Sequence, residues 1–150
     1  MPDDIRSLVQ DVLHEPVTVK IGRSVPVASV SHALYPVKQH LKTALLMELL
    51  YQIKAESVLV FTRTKHGAER VVQQLKKAGF KATSLQGNLT QTRRQAALDG
   101  FRDGSFKIMV ATDIAARGID VLSISHVINY DMPESTDAYT HRIGRTGRVD

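Results

Sequence analysis

Two short runs, apolar at nearly every position, do most to decide what this 150-residue chain can fold into. Ser57–Thr62 reads Ser-Val-Leu-Val-Phe-Thr, and Phe106–Thr112 reads Phe-Lys-Ile-Met-Val-Ala-Thr. A strand with one wet face alternates apolar and polar residues, whereas a continuous apolar run fits a strand covered on both faces. The segments around these runs carry a different period. Leu41, Leu45, Leu49 and Ile53 fall at helical spacing within Lys38–Lys54. Ala68, Val71, Val72, Leu75 and Ala78 mark one face of a second helix, with Gly79 as its stop. The alternation continues with a strand at Lys81–Leu85 and a helix capped by Thr90, running to about Arg102 and burying Leu98 and Phe101. A strand at His126–Tyr130 follows, then a helix capped by Ser135 or Thr136 that passes His141 and ends near Gly144. Val30–Val37 reads as a further strand ending near Pro36. Such alternation predicts an α/β fold, a mostly parallel sheet with helices on both faces. In such sheets ligands sit beyond the carboxyl ends of the strands.

Composition excludes several classes of chemistry. The chain has no cysteine, so disulfides and thiolate metal sites are ruled out. Its six histidines lie far apart without ligand-like spacing, and no metal site is expected. No apolar run approaches membrane-spanning length, and Met1-Pro2-Asp3-Asp4 is no signal peptide, so the expected location is cytoplasmic. Twenty Lys and Arg against 15 Asp and Glu give a net charge of +5, which fits a phosphate-rich partner without requiring one. Residues 1–29 differ from the rest: Ile5, Leu8, Val9, Val12 and Leu13 form a short amphipathic pattern, followed by a stretch without helical period.

Each polar cluster follows a predicted strand. Thr62-Arg63-Thr64-Lys65 comes after the first apolar run, and Gln86-Gly87-Asn88 after the next strand, with Gln91 and Arg94 on the helix beyond. Thr112-Asp113 through Arg117-Gly118-Ile119-Asp120 follows the second apolar run. Near the end, residues 141–148 read His-Arg-Ile-Gly-Arg-Thr-Gly-Arg, placing Arg142, Arg145 and Arg148 three residues apart with glycines between. Guanidinium groups are permanently charged planar forks that match phosphate oxygens, so this spacing points to a polyphosphate. An arginine-rich helix end that merely complements the helix dipole is the alternative for such a run taken alone.

Together these segments resemble the second RecA-like lobe of DEAD-box RNA helicases, and within them the bacterial RhlE-like group. Val58–Lys65 matches motif IV, Gln91-x-x-Arg94 motif IVa, Ala111–Asp120 motif V and His141–Arg148 motif VI. The resemblance implies that Arg145 and Arg148 are arginine fingers reaching the γ-phosphate of ATP, that Asp120 binds its ribose, and that His141 links the lobe to its partner. It implies RNA contacts at Thr64, Lys65, Gly87, Arg94, Thr112 and Gly118. Arg142 is expected to support the interface between lobes, and Asp113 to brace its own loop. Gln86 stands where many relatives carry His.

Two absences shape the expectation. No Gly-x-x-x-x-Gly-Lys-Ser/Thr occurs, so the chain has no phosphate-cradling loop, and no Asp-Glu-Ala-Asp is present to hold magnesium. In the family both belong to the first lobe. ATP and Mg2+ would therefore be held mainly by an N-terminal RecA-like lobe, and this chain alone should not hydrolyse ATP. Residues 1–29 would be the end of that lobe and the linker, and 30–150 the second lobe, stopping short at its C-terminal edge. An unpaired sheet edge there predicts a homodimer or local disorder near Arg145–Asp150. A stand-alone RNA- or protein-binding module without nucleotide dependence is the rival reading.

Overall fold

A computed structural model of the chain describes residues 30–53, 56–117, 119 and 124–146. The first element is a 3-10 turn, Gln39–Leu41, leading into α1, Lys42–Gln52. Then follow β1 (Val58–Phe61), α2 (Lys65–Lys77), β2 (Ala82–Leu85), α3 (Gln91–Arg102) and β3 (Ile108–Ala111). A short α4 (Asp113–Ala116), β4 (His126–Asn129) and α5 (Thr136–Ile143) complete the order. The four strands form one sheet in the order β2-β3-β1-β4, all parallel. This is the α/β fold that the alternation predicts.

The two apolar runs become the two central strands, and each builds two cores at once because side chains alternate faces along a strand. Val58, Val60, Ile108 and Val110 face one side, where Leu46 and Leu50 of α1 and Val71, Val72 and Leu75 of α2 cover them. Leu59, Phe61, Met109 and Ala111 face the other, covered by Phe101 of α3 and Ala115 and Ala116 of α4. The register pairs like with like: Val60 stands beside Val110, and Leu59 beside Met109. Gly79 adopts φ 87, the left-handed conformation that ends α2. The side chains of Thr64, Thr90 and Ser135 accept the backbone N–H three residues ahead, capping α2, α3 and α5.

Three expectations need correction. Val30–Val37 is not a strand: residues 31–36 are exposed, and the segment pairs with no strand among the described residues. Its apolar content marks extended chain, but a strand exists only where a neighbour completes its hydrogen bonds. The buried stripe of α1 is also displaced. Leu46 and Leu50 are buried, whereas Leu41 is 46% exposed and Leu45 and Leu49 are half-buried. The run of adjacent leucines offered two stripes one residue apart, and Lys42 and Thr43, tied to the loop after β4, select the other one. Leu98 is half-buried rather than buried; Ala97 and Phe101 carry the α3 contact. The amphipathic pattern of residues 5–13 lies outside the described residues.

Candidate functional site

The residues after β1, β3 and β4 meet at the carboxyl edge of the sheet, and one buried cation organises them. Arg142 on α5 is only 3% exposed, the sole buried charge among the described residues. Its Nε and Nη2 donate to the two carboxylate oxygens of Asp113 at 2.6 and 2.8 Å. Its Nη1 donates to Asn129 Oδ1 at 2.9 Å and to the Asp131 carbonyl at 2.7 Å, and the guanidinium lies 4.9 Å over the Phe61 ring. A bidentate fork on a carboxylate is the strongest geometry available to an arginine. Thus Arg142 joins α5 to α4, β4 and β1, and its donors point inward.

Asp131 extends this network to the opposite side. Its carboxylate accepts from Lys42 Nζ at 3.0 Å and from the Arg63 backbone N–H at 3.0 Å, while its own N–H donates to the Phe61 carbonyl at 3.1 Å. Burial pushes the Asp131 carboxyl up, but the Arg63 N–H and the Lys42 ammonium outweigh it and hold it below the ordinary value. The Arg142 hydrogen bonds hold Asp113 below its usual range against the opposing effect of burial, with the charges of Arg142 and Arg117 adding to them.

Two adjoining clefts share this network as a wall. The first, about 220 Å³, is lined by Arg117, His141 and Arg145 together with Phe61, Ala116 and Ala138. Arg145 spends one guanidinium donor on the Ile119 carbonyl, Nη1 to O at 3.0 Å, and its other guanidinium N–H groups have no partner among the described residues. Among the described residues the one carboxylate on this cleft, Asp113, gives both oxygens to Arg142, so the free charge of the described lining is cationic and suits an anion. Among the described residues no group of three His, Asp or Glu could hold a metal ion. The second cleft, about 320 Å³, is lined by Arg63, Thr112, Ile114, Met132, Glu134 and Ser135.

The expected contact residues sit at the same edge in different states of engagement. Thr64 is exposed, but its hydroxyl caps α2 by accepting from Gly67 N at 3.0 Å. Lys65 Nζ donates to Asn88 Oδ1 at 3.0 Å, bringing the ends of β1 and β2 together beside Gly87. Gly87 has no positive φ, and a Cβ there would meet no atom within 4 Å, so nothing inside the lobe demands a glycine. Arg94 is half-buried and donates through Nη2 to the Ala115 carbonyl at 2.8 Å, and Thr112 is half-buried at the head of α4. Gly118, Asp120 and Arg148 lie outside the described residues. Sequence reasoning passed over two residues that the clefts expose, Arg117 and Arg63. Both stand within the quoted motifs, and their signal was a cation at the first turn beyond an apolar strand.

Comparison with known proteins agrees with this architecture. The model of the helicase conserved C-terminal domain matches residues 41–150. DEAD-box ATP-dependent RNA helicase 21 of Oryza sativa subsp. japonica is 42% identical over 150 residues, covering 99% of this chain and 20% of that protein. ATP-dependent RNA helicase DeaD of Mycobacterium tuberculosis is 42% identical over 148 residues, covering 98% of this chain and 26% of that one. Among solved structures, S. cerevisiae Dbp5 bound to RNA and ADP BeF3 superposes with a TM-score of 0.83 at 30% identity, over 99% of this chain and 40% of that one. The chain thus spans only a fifth to a quarter of these two curated relatives.

Proposed function

The chain belongs to the helicase conserved C-terminal domain family, in the RecA-like form of the DEAD-box RNA helicases, and from that premise we propose that it is the C-terminal half of an ATP-dependent RNA helicase core. In this reading the cationic cleft faces the phosphates of ATP held by an N-terminal RecA-like lobe. Arg145 and Arg148 are the arginine fingers, Asp120 takes the ribose, and His141 couples nucleotide state to closure of the two lobes. A finger of this kind stabilises charge on the transferring phosphoryl group and is worth about 10³–10⁵ in rate in nucleotide hydrolases. Magnesium would be held by the other lobe, since Asp113, the carboxylate that lines this cleft among the described residues, is engaged with Arg142.

The observation that carries the proposal is the division of labour within motif VI. Arg142 is buried and saturated by its own lobe, whereas Arg145 lines the open cleft beside His141 with donors to spare. A basic patch that only complemented a helix dipole would have no reason to lock one arginine and aim its neighbour outward. On the RNA side, Thr64, Lys65, Gly87, Arg94, Thr112 and Gly118 would meet phosphates and riboses, giving affinity without reading sequence. ATP and RNA together would favour the closed state only if both bind it more tightly than the open one. The location would be cytoplasmic; no helix among the described residues is long and apolar enough to cross a membrane. Among the described residues β4 is an edge strand of the sheet, preceded by the isolated Ile124–Thr146 bridge, and a second copy pairing there is the corresponding proposal for self-association.

RNA-stimulated ATP hydrolysis by the 150-residue chain, beside an Arg148→Ala version, tests the reading. Neither should turn over. Hydrolysis that disappears with Arg148 would mean that a complete site assembles without another lobe, and the half-core reading would be lost.

A further inference from the structure

We propose that the amino-terminal rim of the sheet, opposite both clefts, is a second contact surface for single-stranded RNA. Lys81 and Lys107 meet neighbouring phosphates there, and the Tyr51 ring carries a base. The choice of RNA as occupant rests on the helicase reading above; the surface itself is read from what stands at this rim. Lys81 immediately precedes β2 and Lys107 immediately precedes β3, two adjacent parallel strands. The Lys107 N–H donates to the Lys81 carbonyl at 2.9 Å, so the two residues stand one strand spacing apart, about 4.8 Å. Both are exposed, and neither side chain makes a hydrogen bond or ion pair among the described residues. Like charges so placed repel. A lysine beside the outer strand β2 blunts an edge, but β3 is an inner strand with no edge to blunt. Lys76 and Lys77, in the last turn of α2, complement the helix dipole and bring two more exposed ammonium groups to the same rim.

An aromatic platform adjoins these cations. Gly79, at φ 87, turns the chain out of α2 and sets Phe80 directly before Lys81. The Tyr51 ring at the end of α1 lies 4.7 Å from the Phe80 ring, tilted by 47°, and its hydroxyl donates to the Ala78 carbonyl at 3.2 Å. These contacts hold the ring in place, yet Tyr51 remains 60% exposed. Single-strand sites combine a cationic track for the backbone with aromatic rings on which any base can stack. An acidic peptide would be answered by the lysines alone and has no use for a flat ring. Of the acids near this rim, Asp99 takes Arg102 at 3.4 Å and Asp103 accepts the Ser105 backbone N–H at 2.8 Å. Glu56, before β1, lies across Lys107 from Lys81, so the positive excess falls toward β2, where the ring sits.

The test is a titration of the chain with a uridylate dodecamer across a salt series, followed by magnetic resonance at backbone amides and at the Tyr51 ring. The amides of Lys81 and Lys107 and the Tyr51 ring should shift together. Lys81→Gln with Lys107→Gln should weaken the binding read at the Tyr51 ring by about 10-fold at low salt. It should also reduce the salt slope there by about 1.4, the value for two phosphates of a single strand. Tyr51→Leu should weaken the binding read at the two lysine amides by about 5-fold or more with the slope unchanged, and Tyr51→Phe should bind as the parent does. Melting curves check each variant; the lysine pair, exposed and unpacked, decides the matter if Tyr51→Leu melts early. If the Thr112 and Arg94 amides respond while this rim stays silent, or the lysine variant binds as the parent does, this surface is wrong and the RNA reading of the clefts stands. If the rim responds and Thr112 and Arg94 do not, the surface stands and the RNA contacts at the clefts fall. If neither edge responds, both readings fall. An oligoglutamate of equal length should leave the Tyr51 ring unmoved; a shift equal to that with RNA would make the rim a docking site for an acidic protein and overturn the proposal.

Discussion

β1 and β4 lie side by side in register, yet they are held in place by different physics. All four residues of β1 are buried, at most 2% exposed, and touch apolar neighbours on both faces. β4 has no buried residue: His126 is exposed, and Val127, Ile128 and Asn129 are half-buried. Val127 and Ile128 pack only on the margins of the two cores, and polar contacts add what the burial lacks: Arg142 on Asp113, Asn129 and Asp131, and Lys42 on Asp131. The lesson concerns function. An apolar core is indifferent to orientation within limits, whereas a fork of charged hydrogen bonds sets α5 at one angle and so fixes where His141 and Arg145 point.

Breaking each region in its own way exposes the contrast. On the core side, Leu59→Ala should cost the most, about 2–5 kcal/mol, because the cavity lies between two strands and cannot collapse. Its midpoint loss in urea should be the same at low and high salt. On the polar side, Asp113→Ala should cost about 3 kcal/mol, since it strands the buried guanidinium of Arg142 without its carboxylate. Solvent at the half-exposed carboxylate keeps the cost below that of a fully buried pair; the side chains of Arg142 and Asp113 are 3% and 48% exposed. Urea melts of the two variants would decide the matter, and equal tolerance of Asp113→Ala and a surface control would refute the network's role.

A sharper form of the comparison removes the cation instead. Arg142→Met keeps most of the volume over the Phe61 ring and takes the buried charge away altogether. Asp113, freed and half-exposed, can turn to water, so the loss should be only about 1–2 kcal/mol despite the four hydrogen bonds removed. Yet in the complete two-lobe protein this variant should hydrolyse ATP poorly, because nothing then fixes the angle of α5. Stability retained with turnover lost, in the same sample, would separate orientation from mere folding. Full turnover would show that α5 needs no such guide.

How much of this was legible in the sequence follows the same division. The central strands were readable because Val-Leu-Val-Phe and Ile-Met-Val-Ala are short apolar runs bounded by polar loops, which fit a doubly covered strand, and the caps Thr90 and Ser135 act locally. Val30–Val37 misled because pattern records what a segment could bury and says nothing about whether a neighbour strand exists to pair with it. The site was legible as a set of loops at one sheet edge. Its internal assignments were harder, since an arginine looks the same whether it grips a carboxylate or waits for a phosphate. Only the long-range partners, Asp113 for Arg142 and Asn88 for Lys65, decide that, and they lie 29 and 23 residues away in the chain.

The smallest expected effect is the response to acid, and it falls on the β4 side rather than on β1. Asp113 and Asp131 both titrate below the ordinary value of 3.8 in the folded chain. A carboxylate with a depressed folded pKa binds its proton more weakly than the unfolded chain does. Its stabilising contribution is therefore complete above the unfolded value and is lost as pH falls through the folded one. Partial exposure screens both groups, so the two together should contribute no more than about 1 kcal/mol. Urea midpoints compared between about pH 5 and pH 3 should fall more steeply for the parent than for a chain carrying Asp113→Asn and Asp131→Asn. Asp103, lowered by its hydrogen bonds with Ser105, is present in both proteins and cancels from the comparison. A slope that survives both substitutions unchanged would mean that acid acts elsewhere, and that the ionised form of this network is not what holds β4 and α5 against the core.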